Sequence, residues 1–87
     1  MKISQIIQIA SVQILLYLCE KGEVRHSELS DIMKSRGTLS LSLKDLIEEE
    51  LVQRKVLDTK PIQSLYSLTE KGALVAKELQ EVKNLIS

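Results

Sequence analysis

Aromatic side chains are almost absent from this chain of 87 residues, which has two Tyr, no Phe and no Trp. Any hydrophobic core must therefore be built from Leu, Ile and Val. The single Cys excludes an internal disulfide, and one Cys with one His cannot supply four ligands to a structural zinc ion. We therefore expect a reducing, cytoplasmic location.

Net charge is also absent, because twelve basic residues balance twelve acidic ones. No global field therefore draws the chain to nucleic acid or to an anionic membrane surface. A chain of 87 residues predicts one small domain, 1–87. Domains of this size bury a modest fraction of their surface and often gain stability by forming oligomers.

The groups that support catalysis are missing from the sequence. It contains no glycine-rich phosphate loop, no evident Ser/His/Asp arrangement, no paired carboxylates in an evident cleft and no cluster of metal ligands. Neither an enzyme nor a bound metal or cofactor is expected. No separate effector domain is visible, so a small-molecule effector is unknown and would have to bind at a dimer interface.

The N-terminal segment is the longest uncharged stretch, since twelve of the seventeen residues from Ile3 to Cys19 are apolar. Glutamines interrupt it, a membrane span needs about twenty mostly apolar residues, and no small-residue cleavage site follows. The segment instead predicts a helix over about 3–21, closed by Gly22. Its apolar residues form one stripe at four-three spacing and extend around other faces, giving more apolar surface than one small domain can cover.

The remainder predicts three further helices and two strands. Ser27 begins a helix over about 27–34 after a short extended piece at 23–26, with Leu29, Ile32 and Met33 facing inward. Thr38 begins a helix over about 38–50, with its core face at Leu39, Leu43, Leu46 and Ile47. Two strands over about 51–68 flank a turn at 59–61. Thr69 then begins a helix over about 70–86, with a stripe at Val75, Leu79, Val82 and Ile86.

Three segments carry a family resemblance. The run Tyr66–Gly72, with the sequence YSLTEKG, is the most specific of them, and it is joined by Ser27–Leu29 and by Leu43–Val52. In this order they make about four-fifths of the chain resemble the winged helix-turn-helix regulators of the MarR and HxlR families, which are prokaryotic. The abundance of Ile and Leu with few aromatics suits an archaeal or archaeal-viral source, although composition does not decide this.

This resemblance implies a mainly α fold with a small β-hairpin, a winged helix-turn-helix with extended N- and C-terminal dimerisation helices. It also implies a dimeric transcription regulator whose third helix enters the major groove of double-stranded DNA and whose wing touches the flanking backbone. Two departures stand out. Glu50 occupies the position of the family's turn glycine, where the turn must close without a residue relaxed at positive φ, and the short wing lacks the several arginines of many relatives.

Candidate DNA contacts lie in the turn before the third helix, on that helix and on the wing. Basic residues flank the helix N-terminus, where free backbone N–H groups also favour phosphate. Ser and Thr donate to phosphates or base edges, and Leu41 suits a thymine methyl group. The predicted set is Lys34, Ser35, Arg36, Thr38, Ser40, Leu41, Ser42, Lys44, Arg54, Lys55, Thr59 and Lys60.

The surplus apolar surface of the terminal helices predicts a homodimer. The expected interface residues are Ile3, Ile6, Ile7, Ala10, Ile14, Leu74, Val82, Leu85 and Ile86. Cys19 is expected to be a small buried residue, with an intersubunit disulfide as the alternative. Tyr66 is expected in the core with its hydroxyl at the edge. His26 is expected on the surface or in the extended piece, with a phosphate contact as the lesser alternative.

Two functions remain open at this point. Sequence-specific binding of double-stranded DNA by a small dimeric regulator is favoured by the local basic clusters and by the resemblance. A winged-helix module that binds protein, with weak or no DNA binding, is favoured by zero net charge and by an exposed Leu41 on the third helix. No membrane contact is expected for either.

Overall fold

The computed structural model describes residues 9–33 and 35–86. In chain order the elements are α1 (Ala10–Lys21), β1 (Val24–Arg25), α2 (His26–Ile32), α3 (Arg36–Glu48), β2 (Val52–Leu57), β3 (Gln63–Leu68) and α4 (Glu70–Ile86). The mixed α and β winged-helix fold expected from the sequence is confirmed. The predictions for Ile3, Ile6, Ile7 and Lys34 fall outside the described residues.

The wing is part of a three-stranded antiparallel sheet with the order β1-β3-β2. The hairpin of β2 and β3 pairs Val52 with Leu68 and Leu57 with Gln63. The extended piece expected at 23–26 is the third strand, since Val24 pairs with Tyr66. Because paired residues share a face, Val24, Val52 and Tyr66 all reach the core.

The core lies between this sheet and the helices, and it is almost entirely aliphatic. Its largest fully buried side chains come from α1, α2, α3, β1 and β2; they are Ile14, Leu18, Leu29, Leu39, Val24 and Val52. Buried Ala76 brings α4 against the same cluster. Tyr66, 6% exposed, is its aromatic member, as expected.

Helix ends follow local capping chemistry, with differences from the expected bounds. α1 ends at Gly22 (φ 83°), whose N–H donates to Leu18 O at 2.8 Å. Among the described residues this helix begins at Ala10, after extended Ile9, and the part of the predicted helix over 3–8 lies outside the described residues. α3 begins at Arg36, two residues before the predicted start. Ser35 and not Thr38 is its N-cap, since Ser35 Oγ accepts from Thr38 N at 3.2 Å.

Three burial predictions are wrong. Ile32 is 42% exposed and Ile47 is 37% exposed, whereas both were expected in the core. α2 ends at Ile32, so this side chain sits at the helix end and not over the core. Ile47 lies at the edge of the buried stripe of α3. Cys19 is exposed and not buried, because α1 turns it away from the face that packs on the core.

The start of α4 is fastened to the turn between α3 and β2. Thr69 caps α4, accepting from Gly72 N at 3.0 Å, and its hydroxyl donates to Glu50 O. Thr69 N donates to Leu51 O at 3.1 Å. A Cβ on Gly72 would stand only 1.8 Å from Leu51 O, so the helix approaches the turn backbone more closely than any other residue allows.

The same turn contains a residue other than glycine at positive φ. Glu50 has φ 61°, a conformation that glycine adopts most readily. The turn thus closes on a residue that is not relaxed at positive φ, as expected from the sequence. Backbone bonds hold Glu50 there, since Leu51 N donates to Leu46 O at 2.9 Å and Glu50 N to Ile47 O at 3.0 Å. None of the described helices is both long and apolar enough to span a bilayer.

Candidate nucleic-acid interface

α3 presents one face to the core and the opposite face to solvent. Leu39, Leu43 and Leu46 are buried, which fixes the rotation of the helix. At about 100° per residue, this rotation directs Gly37, Leu41, Lys44 and Glu48 outward. Leu41 is 65% exposed, and nothing within the described residues covers its side chain. The outward face is therefore a short apolar and basic strip ending in an acidic residue.

A groove separates α3 from the sheet. It has a volume of about 450 Å³, and α2, α3, β2 and β3 all contribute to it. Its lining residues are His26, Ser40, Leu43, Lys44, Ile47, Glu48, Arg54 and Tyr66. We call this feature the α3–wing groove. It brings together three side chains that can carry positive charge and were far apart in sequence: His26, Lys44 and Arg54.

The sheet register divides two basic residues that the sequence places side by side. Arg54 pairs with Tyr66 and Lys55 pairs with Leu65. Arg54 therefore lies on the face of Tyr66, toward α3, whereas Lys55 lies on the outer face with Gln53. The hydrogen bond from Gln53 Nε2 to Ser67 Oγ at 3.2 Å marks that outer face. Only Arg54 of this pair joins the groove.

The turn of the wing carries the remaining predicted contacts. Thr59, Lys60 and Pro61 are all exposed. Thr59 Oγ1 donates to Pro61 O at 2.7 Å, so this hydroxyl orders the turn. Ile62 follows and is 69% exposed, which gives the wing end an apolar side chain beside the Lys60 ammonium.

The charges of this surface are mixed but locally positive. Within the described residues the side chains of Arg36, Lys44 and Arg54 form no ion pair. Glu48 is the acidic group in the groove, and Asp58 stands at the end of the wing. No group of three or more His, Cys, Asp or Glu in the described part of the chain could hold a metal ion.

Two predicted site residues are withdrawn because of their burial. Ser42 is only 8% exposed, since its position on α3 faces the core, and its small side chain fits there. It cannot contact DNA without a rearrangement of α3. Ile14 is completely buried within its own chain, so it has no surface to offer a second copy. Arg36, Thr38, Ser40, Leu41 and Lys44 are all exposed on or beside α3.

The surface of the terminal helices is apolar in part. Leu74 is 65%, Leu85 85% and Ile86 43% exposed, while Val82 and Ala10 are half-buried. Glu78 and Glu81 lie between Leu74 and Leu85 on one helical face, so this face is not continuously apolar. The more continuous surface runs from Val82 to Ile86 at the end of α4.

His26 is the member of the groove that sequence reasoning undervalued. It lies at the first position of α2, and its ring is 6.0 Å from the ring of Tyr66, centroid to centroid. The pairing of Val24 with Tyr66 brings the two together. The sequence placed His26 at the end of an extended piece over 23–26, but it did not give the register of that piece with another strand.

The fold and sequence match known DNA-binding regulators. A family model described as HxlR-like helix-turn-helix matches residues 10–87. The HTH-type transcriptional regulator YodB of Bacillus subtilis (strain 168) is 32% identical over 72 residues, covering 80% of this chain and 64% of that protein. The chain thus spans slightly less than two thirds of that relative.

Solved structures agree with this match. The reduced form of YodB superimposes with a TM-score of 0.69 at 31% identity, covering 84% of this chain and 74% of that one. A transcriptional regulator, ytfH from Salmonella typhimurium, gives a TM-score of 0.79 at 26% identity, covering 95% and 79% of the two chains. Both relatives carry the name of a transcriptional regulator.

Proposed function

Because this chain belongs to the HxlR-like helix-turn-helix family, we propose that it is a small dimeric transcription regulator that binds double-stranded DNA sequence-specifically. One observation carries the proposal: the outward face of α3, with Leu41 and Lys44, stands beside a groove that adds Arg54 from the wing. A helix flanked by a basic groove suits the major groove and its phosphate edge. Such a regulator acts in the cytoplasm, where a prokaryotic chromosome lies.

The proposed contacts separate into two classes. Arg36 before α3, Arg54 in the groove and Lys60 on the wing suit phosphates, which position the protein without specifying sequence. Thr38, Ser40 and Leu41 suit base edges and the thymine methyl group. Few phosphates are neutralised, so we expect weak non-specific affinity and a shallow salt dependence, with about 0.9 units of logarithmic slope for each phosphate.

The experiment is a titration with random genomic duplexes at two salt concentrations, followed by selection of the bound sequences. Arg36→Ala and Lys60→Ala should weaken binding to all duplexes about equally. Thr38→Ala and Leu41→Ala should instead change the selected sequence, by roughly 1–3 kcal/mol for each altered base contact. Absence of duplex binding at low salt would end the DNA proposal.

Arg54 and Lys55 provide a matched pair, since they are neighbours on opposite faces of β2. If α3 and the groove face DNA, Arg54→Gln should weaken binding more than Lys55→Gln. A larger loss of duplex binding in Lys55→Gln than in Arg54→Gln would mean that the outer face of the wing contacts the duplex.

Dimerisation is proposed from the uncovered ends of α1 and α4. Leu85 and Ile86 leave a large apolar area in water, which a second copy would remove. Two α3 helices about one duplex turn apart would then favour a palindromic site. Leu85→Glu should give a monomeric mass by light scattering, with Lys77→Glu, on an exposed position of the same helix, as its control. A monomer without substitution would contradict this proposal.

A protein-binding module is the second candidate, and exposed Leu41 favours it. A leucine anchor on a helix face is a common docking element. In that case Leu41→Ala would abolish partner capture and leave duplex affinity unchanged, which is opposite to the outcome expected for a base contact.

A further inference from the structure

His26 occupies a position between two parts of the proposed DNA surface. It lines the α3–wing groove with Lys44 and Arg54, and it also lines a smaller pocket of about 260 Å³ below the wing turn, formed with Pro61 and Ile62. The imidazole is exposed and is the only His of the chain. Histidine is also the side chain that ordinarily changes charge between about pH 5 and 8.

We infer that His26, Lys44 and Arg54 together bind one backbone phosphate of the DNA in the α3–wing groove, and that His26 takes up a proton when this phosphate binds. The inference rests on the proposed DNA binding and adds to it a residue and a pH dependence. Docking of a helix in the major groove requires neither a contact from His26 nor a pH dependence.

The orientation of the imidazole is set by two neighbours. The ring of buried Tyr66 lies against it at an interplanar angle of 47°. Ser30 Oγ lies 3.5 Å from His26 Nδ1, one helical turn along α2. This leaves Nε2 as the nitrogen without a partner among the described residues. Nε2 can donate to a phosphate oxygen whenever Ser30 donates to Nδ1, and also when both nitrogens are protonated.

Charged groups line both pockets that contain His26. Lys44 and Glu48 of α3 and Arg54 of β2 line the α3–wing groove, and Arg25 of β1 lines the smaller pocket. The phenol of Tyr66 is the other titratable group from the sheet, and Glu28 and Asp31 lie on α2 itself. Glu28 is engaged elsewhere, since its carboxylate accepts from Tyr17 and from Arg25 N, both at 3.4 Å.

A bound phosphate favours the protonated form of the His26 imidazole, because it places an opposite charge at hydrogen-bond distance from the ring. Binding of the proton and binding of DNA must then strengthen each other equally. We therefore expect duplex affinity to rise by about three- to tenfold from about pH 8 to about pH 6.

The test measures duplex affinity across this pH range at constant salt for three proteins: the unaltered chain, His26→Gln and His26→Lys. Gln keeps a donor but cannot gain charge, so its affinity should stay at the high-pH value of the unaltered chain. Lys carries its charge throughout, so its affinity should be high and independent of pH. Any other group that changes charge in this pH range is common to all three proteins. Thermal unfolding at both pH extremes verifies that each variant is folded.

A loss of the pH dependence in His26→Gln, with tight binding restored by His26→Lys, supports the inference. Binding by all three proteins with one shared pH profile overturns it while leaving the proposed DNA binding intact. Failure of all three to bind any duplex at either pH removes both proposals together, so the two failures are distinguishable.

Discussion

Replacement of Gly72 by Ala should destabilise the domain, although alanine is the better helix former. A Cβ at this position would lie 1.8 Å from Leu51 O and 2.7 Å from the carbonyl carbon, where ordinary contact begins near 3.4 Å. The first turn of α4 and the turn at 49–51 must therefore separate by roughly 1.5 Å, the difference between those contact distances.

This separation would break the hydrogen bonds by which Thr69 holds Glu50 O and Leu51 O. Two such bonds contribute about 1 kcal/mol each, and the lost packing of Gly72 adds a similar amount. The better helix propensity of alanine returns at most about 1 kcal/mol. We expect a net loss of about 2–3 kcal/mol in the free energy of unfolding, or roughly 10–20 °C in Tm for a domain of this size.

Gly37 supplies the control, since it also lies in the first turn of a helix. A Cβ there would meet nothing closer than Ser35 Oγ at 3.9 Å, so Gly37→Ala should be neutral or stabilising by up to about 1 kcal/mol. Urea unfolding at one fixed protein concentration measures both, because dimerisation would make the midpoint depend on concentration. A Gly72→Ala protein within about 0.5 kcal/mol of the unaltered chain would refute the argument from close approach.

Three further predictions test other features. Glu50→Gly should stabilise the domain by about 1 kcal/mol, because it removes a side chain at φ 61°, whereas Glu49→Gly at φ −78° should destabilise it; chemical denaturation compares the two. Ser35→Ala should cost about 1 kcal/mol through loss of the bond to Thr38 N, and an unchanged unfolding midpoint would count against this cap. Glu48→Gln should raise duplex affinity a few-fold by removing the acidic group of the groove, most at low salt, and weaker binding would place DNA elsewhere.

Much of the fold could be predicted from local sequence signals. Leucine periodicity placed the buried face of α3, Gly22 ended α1, and Thr69 began α4, because each depends on residues within one or two turns. The sequence pattern placed the cap of α3 at Thr38, whereas Ser35, a residue with the same hydroxyl chemistry three positions earlier, is the cap. The polar side chain of Ser42 suggested an exposed position, but the rotation of α3 set by the neighbouring leucines buries it.

The composition of the candidate site depended on pairing that the sequence does not reveal. The register of β2 with β3 sends Arg54 toward α3 and Lys55 away from it. The pairing of β1 with β3 brings His26 to Tyr66. A shift of one residue in either pairing would exchange the faces and produce a different groove. Long-range register, and not side-chain chemistry, was the missing information.

The two sides of the contact between α4 and the turn at 49–51 contribute different kinds of atoms. Thr69, Lys71 and Gly72 act through a hydroxyl, an ammonium at 3.2 Å from Glu49 O, and the lack of a side chain. Every partner atom on the turn is a main-chain carbonyl oxygen, which all amino acids possess. The motif at the start of α4 is therefore chemically demanding, while the turn contributes no side-chain atom to these contacts. A glutamate at position 50 therefore leaves the hydrogen bonds between α4 and the turn intact.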